Sequence, residues 1–374
     1  MYPSDLTDQA RALLPSMVDA VGALVSVESP SDDVEACRAV SQEAVGIFEG
    51  WLPEPARVEE HGGRPVWRWG PDRPRVLLLG HLDTVWPAGS LARLPFTNDG
   101  ERLRGPGVFD MKAGVVQGWA ALALARMTEE SGVGMLLTTD EEIGSPTSRE
   151  LIRTAAEAAE AVLVLEPSLD GAVKTARKGT SWYSVHLAGR AAHAGLEPER
   201  GINALLAAAE LASTTIHWGD AAAGTTVTPT ILHAGTTSNT VPAEATLVLD
   251  VRAWTAAEQV RVDRLVRGWQ AEGIPVSVRI DGGIDRPAME ESSSAGLFIL
   301  AQDVAGRLGH GELHGRAVGG ASDGNLTAAQ GRATLDGLGA VGDGAHADHE
   351  WVSVPHLAER AALVAAIVQS VLDT

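Results

Sequence analysis

The sequence is poor in cysteine and in basic residues, and each shortage excludes a class of protein. Cys37 is the single cysteine among 374 residues, so neither an intrachain disulfide nor a cysteine-rich zinc module can form. Lysine and arginine total 29 against 49 aspartates and glutamates, which gives a formal net charge of −20. Nucleic acids and anionic membranes bind positive surfaces, and we therefore expect neither as a partner. A few local arginines still allow an acidic small substrate.

Long apolar runs are also lacking. The longest helical apolar stretch, around GWAALALARM, is far shorter than the ~20 residues that cross a bilayer. The N-terminal segment MYPSDLTDQARALLPSM shows no basic region followed by an apolar one, so no signal peptide is indicated. We therefore expect a soluble, cytoplasmic protein.

Length and periodicity predict two domains. At roughly 100–200 residues per domain, a chain of 374 residues is long enough for two. Short apolar runs at Val76–Leu79, Val133–Thr138 and Ala161–Leu165 predict buried strands. Helical patterns over 111–127 and 148–159 alternate with these runs. This alternation is typical of an α/β domain with a mostly parallel sheet.

The pattern changes near Thr180. Residues 183–187 and 245–251 alternate between apolar and polar side chains, as half-buried antiparallel strands do. With the helical patterns around them, they predict an α+β insertion of the ferredoxin-like kind, in the order strand, helix, strand, strand, helix, strand. We expect one domain from residues 1–179 plus 287–374 and an inserted domain from 180–286.

Acidic residues and a histidine accompany the predicted strands of the first domain. In GHLDTV, His81 and Asp83 lie two positions apart in an extended segment, so their side chains point to the same face. This spacing suits a metal-ligating histidine with a carboxylate that orients it, although H-x-D alone also fits a structural role. Asp110 precedes a long predicted helix in GPGVFDMKAG, where a helix N-cap is the simpler interpretation.

Two further acidic segments follow buried strands. Asp140, Glu141 and Glu142 are consecutive in TTDEEIGS. Like charges packed at the end of a buried strand need a cation or a raised pKa, and a solvated acidic turn is the alternative. Glu166 follows the next apolar run in LEPS.

Together these segments indicate a metal site. In an open parallel sheet, ligands bind outside the carboxyl ends of the strands. Carboxylates with imidazoles and no thiolates suit a pair of divalent cations such as zinc, cobalt or manganese. A second imidazole is available in GDGAHADHE, where His346 and His349 are both candidates. Spacing alone does not choose between them.

Five of these segments resemble the signature blocks of the M20 metallopeptidases, a family that includes glutamate carboxypeptidase, acetylornithine deacetylase and aminoacylase relatives. The segments are GHLDTV, GPGVFDMKAG, TTDEEIGS, LEPS and GDGAHADHEWV, in family order from about residue 76 to 352. The resemblance implies a dinuclear-metal catalytic domain with an inserted lid and dimerisation domain. It also favours His346 over His349, because the ligand histidine of the family opens an H-x₃-E pattern.

The resemblance implies a role for each residue of the site. Asp110 would bridge two divalent cations, zinc in the first place and cobalt or manganese as alternatives. Glu141 would be the general base for a hydroxide held between them, and Asp83 would hold the imidazole of His81. The peptide bond between Asp110 and Met111 is expected to be cis. The implied metal ligands are His81 and Glu166 on one cation, His346 and Glu142 on the other, and Asp110 on both.

Segments of the inserted domain also resemble motifs of the family. His193, in GRAAHAG, resembles the lid histidine that reaches into the active site of a partner subunit. Asn239, in GTTSNTVP, and Arg252 resemble a substrate-contacting pair. The resemblance thus implies a homodimer formed through the lid domain. Without it, His193 is most simply a turn histidine and Arg252 a surface charge.

The substrate is predicted from one further segment. Arg286, in DRPAM, resembles the carboxylate-binding arginine of glutamate carboxypeptidase-like members, and a guanidinium binds a carboxylate with two hydrogen bonds. Gly320, in GGASDGN, is placed to add backbone donors. The alternative is that Arg286 pairs only with Asp285 or Glu290. We expect hydrolysis of an amide or peptide bond next to a free α-carboxylate in a short peptide. Deacylation of an N-acyl amino acid is the alternative.

Overall fold

The computed structural model describes the backbone of residues 3–374 and the side chains of residues 6–374. The chain divides into two compact units. The first comprises residues up to Ala176, Glu290–Val318 and Ser322–Thr374, and the second comprises Arg177–Met289 with Gly319–Ala321. The sequence prediction set the insertion at 180–286 and did not assign the three residues 319–321 to it.

The described residues form ten α-helices. In chain order they are α1 Pro3–Val25, α2 Val34–Phe48, α3 Ser90–Arg93, α4 Ala113–Leu124, α5 Arg149–Ala156, α6 Ala204–Thr215, α7 Ala256–Gly268, α8 Glu291–Leu308, α9 Gly324–Ala328 and α10 Val354–Leu372. None of these helices combines the length and apolar character needed to cross a membrane.

The same residues form sixteen strands. In chain order they are β1 Arg57–His61, β2 Arg64–Trp69, β3 Val76–His81, β4 Thr97–Asn98, β5 Arg102–Arg104, β6 Val133–Thr138, β7 Ala161–Val164, β8 Val173–Arg177, β9 Gly179–Ala188, β10 Thr226–Ala234, β11 Glu244–Ala253, β12 Ser277–Arg286, β13 Gly315–Val318, β14 Thr334–Leu335, β15 Gly342–Asp343 and β16 Trp351–Ser353.

The first unit is built on a six-stranded sheet in the order β1-β2-β6-β3-β7-β14. β3 lies parallel to β6 and β7, and β14 parallel to β7, while β2 pairs with β1 and β6 in the antiparallel sense. The alternating side chains of β3 enter two different clusters. Leu78 packs in the core that holds α1, α4 and α10, whereas Leu77 and Leu79 pack with Ile152 of α5 and Leu326 of α9. Because both faces are covered, β3 is apolar along its length, and the predicted α/β class is confirmed.

The second unit has an antiparallel sheet in the order β10-β11-β9-β12. Its chain order β9-α6-β10-β11-α7-β12 gives the ferredoxin-like arrangement predicted from the sequence. Inward-facing Tyr183, Val185 and Leu187 of β9 pack with Leu211 of α6 and Val262 of α7. Alternation along β9 therefore buries one face of the sheet under two helices.

Candidate metal centre

His81 ends the central strand β3, so the sheet itself sets where this imidazole lies. The ring is 1% exposed, and its Nδ1 is 3.0 Å from the main-chain oxygen of Asp83 and 3.5 Å from the carboxylate Oδ1 of the same residue. The sequence prediction had the Asp83 carboxylate holding this ring. The main-chain carbonyl of Asp83 is closer to Nδ1 than the carboxylate is, and the role of the carboxylate toward this ring stays a prediction.

The Asp83 carboxylate connects three segments of the first unit. Oδ2 accepts a hydrogen bond from Ser31 Oγ at 2.7 Å and from the Glu142 amide at 3.2 Å, and Oδ1 accepts from the Glu141 amide at 3.3 Å. Burial works against ionisation here, but the hydrogen bonds from His81 and Ser31 outweigh it and lower the pKa of Asp83. Asp83 thus orients the acidic turn after β6, a role that the sequence did not indicate.

Asp110 lies between the two histidines. It belongs to an irregular turn over Val108–Lys112, and Lys112 rather than Asp110 stands at the N-cap position of α4, so the simple capping interpretation is wrong. The bond from Asp110 to Met111 is cis, as predicted. Oδ1 of Asp110 is 3.3 Å from His81 Nε2, and Oδ2 is 3.3 Å from His346 Nε2. Each carboxylate oxygen therefore faces one imidazole, as a bridging ligand must.

The remaining acids lie one on each side of Asp110. Glu166, directly after β7, has Oε1 3.5 Å from His81 Nε2. Glu142, in the turn after β6, has Oε2 3.2 Å from His346 Nε2. Ligand atoms of His81, Glu141 and Glu166 also lie within 4.8 Å of one another. The structure thus brings the predicted ligands into two adjoining groups, one around each histidine.

His346 reaches this cluster from the tip of the β15–β16 hairpin. It has a positive φ of 62°, a conformation uncommon outside glycine, and its side chain is 50% exposed. Its Nε2 makes the contacts to Asp110 and Glu142 given above, so the geometry favours His346 over His349. The two imidazoles therefore differ in setting, since one is buried in the sheet and the other lies on a half-exposed turn.

The histidines and carboxylates of the cluster shift one another's pKa values. Burial lowers the pKa of His81, but the nearby carboxylates of Asp110, Asp83 and Glu166 more than offset this and raise it well above its ordinary value. Hydrogen bonds to Asp110 and Glu142 raise the pKa of His346 to about 10, and burial raises the pKa of Glu142. A histidine binds a metal through its neutral ring, so divalent cations would displace any proton that these imidazoles carry.

Three buried atoms test whether the residues fit a metal. His81 Nε2, Asp110 Oδ1 and Glu142 Oε1 are shielded from solvent and have no hydrogen-bond partner of acceptable geometry among the described residues. Such buried polar atoms are rare unless an ion or ligand satisfies them. The donor set of imidazole nitrogens and carboxylate oxygens suits zinc, cobalt or manganese. The residues fit a pair of divalent cations.

Two further side chains near the cluster were not predicted. Lys174 Nζ lies 3.7 Å from Glu166 Oε2. Glu350 is 3% exposed, and it accepts a hydrogen bond from Trp86 Nε1 at 2.9 Å. Burial raises the pKa of Glu350 to about 7, although four N–H donors oppose the shift. The H-x₃-E pattern was the one feature of the sequence that pointed to Glu350, and no feature pointed to Lys174.

The predicted residues of the insertion all belong to the second unit. His193 and Asn239 lie on neighbouring loops, because the Ala194 amide donates to the Asn239 carbonyl at 2.9 Å. Arg252 forms a two-pronged ion pair with Asp250, at 2.8 Å and 2.9 Å. Their roles toward a substrate stay predictions.

The main-chain carbonyls of the other two residues of this set accept hydrogen bonds within the second unit. The Arg286 carbonyl accepts from Gln259 Nε2 at 3.0 Å, and the Gly320 carbonyl accepts from Arg177 Nη1 at 3.2 Å. Neither contact uses the group that the prediction assigns to substrate, so these two roles also stay predictions.

Comparison with known proteins identifies the family. The model of peptidase family M20/M25/M40 matches residues 77–370, which include every candidate metal ligand. The chain belongs to this family. The resemblance seen in the sequence is thereby confirmed, and the protein is an M20 metallohydrolase.

Relatives of the M20 chain differ in the reaction that their names describe. Carboxypeptidase G2 of Pseudomonas sp. (strain RS-16) is 32% identical over 309 residues, or 78% of this chain and 73% of the relative. N-acetyl-L-citrulline deacetylase of Xanthomonas campestris pv. campestris is 30% identical over 200 residues, or 52% of each. The crystal structure of aminopeptidase PepT from Bacillus cereus ATCC 10987 aligns with a TM-score of 0.72 at 20% identity, over 96% of this chain and 98% of that one. This last likeness shows the fold.

Proposed function

We propose that the protein is a carboxypeptidase of the glutamate carboxypeptidase type. It cleaves an amide or peptide bond next to a free α-carboxylate and uses two divalent cations, with zinc as the first candidate. The observation that carries the proposal is Asp110, whose two carboxylate oxygens each lie 3.3 Å from a different imidazole. The likeness to carboxypeptidase G2 supports the choice of bond.

Different side chains of the first unit would hold the cations, transfer the proton and position the base. His81, Asp110, Glu142, Glu166 and His346 would hold the cations. When bound, the cations would lower the pKa of water and polarise the scissile carbonyl. Glu141 takes the proton of the attacking water and passes it to the leaving amine. Asp83 accepts a hydrogen bond from the Glu141 amide and so keeps this base at a fixed distance from the cluster.

The second unit would recognise the substrate. Arg286, with backbone donors near Gly320, binds the free α-carboxylate, and Asn239 and Arg252 contact the rest of the substrate. His193 would come from a partner subunit and donate a hydrogen bond to the oxygen that becomes negative in the transition state.

The edge strand β10 supports dimerisation through this unit. It pairs with β11 on one side, and Ile231 and Leu232 on it are 48% and 42% exposed. Beyond the irregularity between Pro229 and Ile231, the outer edge of this strand is a template for pairing with a second chain. The homodimer and the cytoplasmic location belong to the same proposal.

Deacylation of an N-acyl amino acid is the second candidate. The likeness to N-acetyl-L-citrulline deacetylase favours it, and the metal cluster serves either reaction, because both cleave an amide. The two differ in the side of the bond that is recognised, since a carboxypeptidase selects the released amino acid and a deacylase selects the acyl group.

Two matched substrate series test the proposal on the metal-loaded enzyme. One series fixes a C-terminal glutamate and varies the acyl side from acetyl to aminoacyl, and the other fixes the acyl group and varies the amino acid. The proposal predicts that kcat/KM varies mainly with the amino acid and falls when the α-carboxylate is blocked as an amide. A dependence mainly on the acyl group indicates the deacylase, and equal turnover of the blocked substrate contradicts both.

A further inference from the structure

Three segments of the candidate centre meet at the carboxylate of Glu350. Oε1 accepts hydrogen bonds from the amides of Phe109 at 2.8 Å and Asp110 at 3.1 Å. Oε2 accepts from the amide of Gly107 at 3.0 Å and from Trp86 Nε1 at 2.9 Å. One side chain thus satisfies three amides of the loop that carries Asp110, together with an indole from the segment that follows His81.

Glu350 is itself held by the hairpin that carries His346. Its amide donates to the Ala347 carbonyl at 2.9 Å, and the next residue, Trp351, pairs with Arg104 in the ladder between β16 and β5. Gly344 leaves room for this turn, because a Cβ there would lie 2.9 Å from the Glu350 Cα. The backbone of the hairpin therefore fixes Glu350 beside the Asp110 loop independently of its side chain.

We propose that Glu350 is a positioning residue that sets the relative placement of Asp110 and His346 for cation binding. The inference rests on the proposed dinuclear centre. Asp110 has to present one oxygen to each side of the cluster, and the amide of Asp110 itself is among the donors that Glu350 fixes. Residues behind metal ligands orient them, and their loss costs metal affinity even though they touch no metal.

The four N–H donors around Glu350 predict how strongly each substitution of this residue disturbs the centre. Glu350→Gln keeps the size of the side chain, but its amide nitrogen cannot accept hydrogen bonds. Two of the four N–H groups would then remain buried without an acceptor, which disfavours the observed loop conformation. Glu350→Asp keeps the charge and both acceptor oxygens but withdraws them by one methylene. A role in positioning predicts that both variants disturb the centre, and Glu350→Gln more strongly.

The test measures cation affinity rather than activity alone. Wild type and both variants are titrated with cobalt(II) in competition with a chelator, and the visible spectrum of the bound cobalt reports ligand geometry. We expect affinity at one or both sites to fall by about 10- to 100-fold in Glu350→Gln, with an altered spectrum. Glu350→Asp should show a smaller loss. Glu258→Gln is the matched control, since it removes one charge from a carboxylate in the second unit that Thr225 and Arg261 contact.

The gain in Tm that cobalt(II) produces distinguishes a role in positioning the ligands from a purely structural role. General destabilisation lowers the Tm of the metal-free and metal-loaded forms alike, whereas a role in positioning shrinks the difference between them. Wild-type affinity, spectrum and Tm gain in a folded Glu350→Gln or Glu350→Asp variant would overturn the inference. If Glu350→Gln does not fold, Glu350→Asp decides on the same criteria. A wild type that binds no cation contradicts the proposed centre instead, so the two failures are distinguishable.

Discussion

The two units hold most of their candidate residues in different ways, with the half-exposed His346 and the buried Arg286 as exceptions. In the first, His81 and Asp83 are buried, and the Asp83 carboxylate alone accepts three hydrogen bonds from other segments. In the second, His193 is exposed on a loop, and Arg252 pairs with Asp250 two positions away, with 37% of its side chain exposed. Preorganised groups bind without the cost of being ordered, so the buried residues of the first unit are already arranged for cations, whereas exposed side chains of the second unit would be ordered when substrate binds. Substitutions at the candidate ligands and at Glu141 should therefore act on metal binding and kcat, and substitution of Arg286 on KM. His193 is the exception in the second unit, because it would contact the reacting oxygen and so act on kcat.

The largest effect is expected at Glu141. Glu141→Gln removes the general base and leaves the predicted metal ligands in place, so kcat should fall by about 10²- to 10⁴-fold while the bound cations per chain stay unchanged. Metal analysis and steady-state kinetics on the same sample measure both. Glu150→Gln, at an exposed acid of α5, is the control and should match wild type. Retained turnover in Glu141→Gln would contradict the assignment of the base.

His193→Ala should lower kcat by about 10²- to 10³-fold, as expected for the loss of a donor to the oxyanion. His217→Ala, at another exposed histidine of the second unit, is the control. Mixing Glu141→Gln chains with His193→Ala chains tests whether the histidine acts across subunits. Random pairing makes half of the dimers hybrids with one intact site each, so about a quarter of wild-type activity should return. No recovery, with hybrids shown to form, would indicate that His193 acts within its own chain.

Arg286→Ala should raise KM for substrates with a free α-carboxylate by about 10- to 100-fold, because a charge-assisted pair of hydrogen bonds is lost. The kcat value should change much less. Arg286→Lys should recover only part of the loss, since an ammonium lacks the planar fork. Arg279→Ala, an exposed arginine on the same strand, is the control. An unchanged KM across the substrate series would remove Arg286 from recognition.

The smallest expected effect is on the stability of the second unit at low pH. Hydrogen bonds from Arg261 and Thr225 lower the pKa of Glu258 to about 2 from 4.5. The folded form therefore binds a proton less readily than the unfolded form, and the contribution of Glu258 is present above pH 4.5 and lost as the pH falls toward 2. Glu258→Gln should lower the free energy of unfolding by at most about 1 kcal/mol at pH 7, and the difference should shrink between pH 4.5 and pH 3. A difference independent of pH would contradict the charge-based account.

The parts of this protein that the sequence predicted are those with local signals. Continuous apolar runs predicted the strands β3, β6 and β7. The polar residues that follow these runs form the candidate metal cluster, because parallel strands end at one edge of a sheet. The strands β1 and β2 were not predicted. They pair in the antiparallel sense at the sheet edge, and charged residues interrupt their apolar pattern.

The rest of the site depends on contacts that no local pattern records. The Asp83 carboxylate accepts hydrogen bonds from Ser31 and from the amides of Glu141 and Glu142, which lie more than 50 positions away in the sequence. The donors of Glu350 lie about 240 positions or more before it, so spacing within its own segment could not reveal them. The positive φ of His346 is set by the hairpin and not by a residue preference.

The distance along the chain between the parts of the metal centre has a consequence for its biosynthesis. Trp86 and Glu350 are 264 positions apart, and the whole second unit is translated between them. A growing chain can pair β3 with β6 and β7 early, but it lacks His346 and Glu350 until the whole second unit has been translated. Assembly of the complete set of predicted ligands therefore follows synthesis of the second unit. A chain terminated before residue 346 would keep the predicted ligands His81, Asp110 and Glu166 but could not assemble the second site.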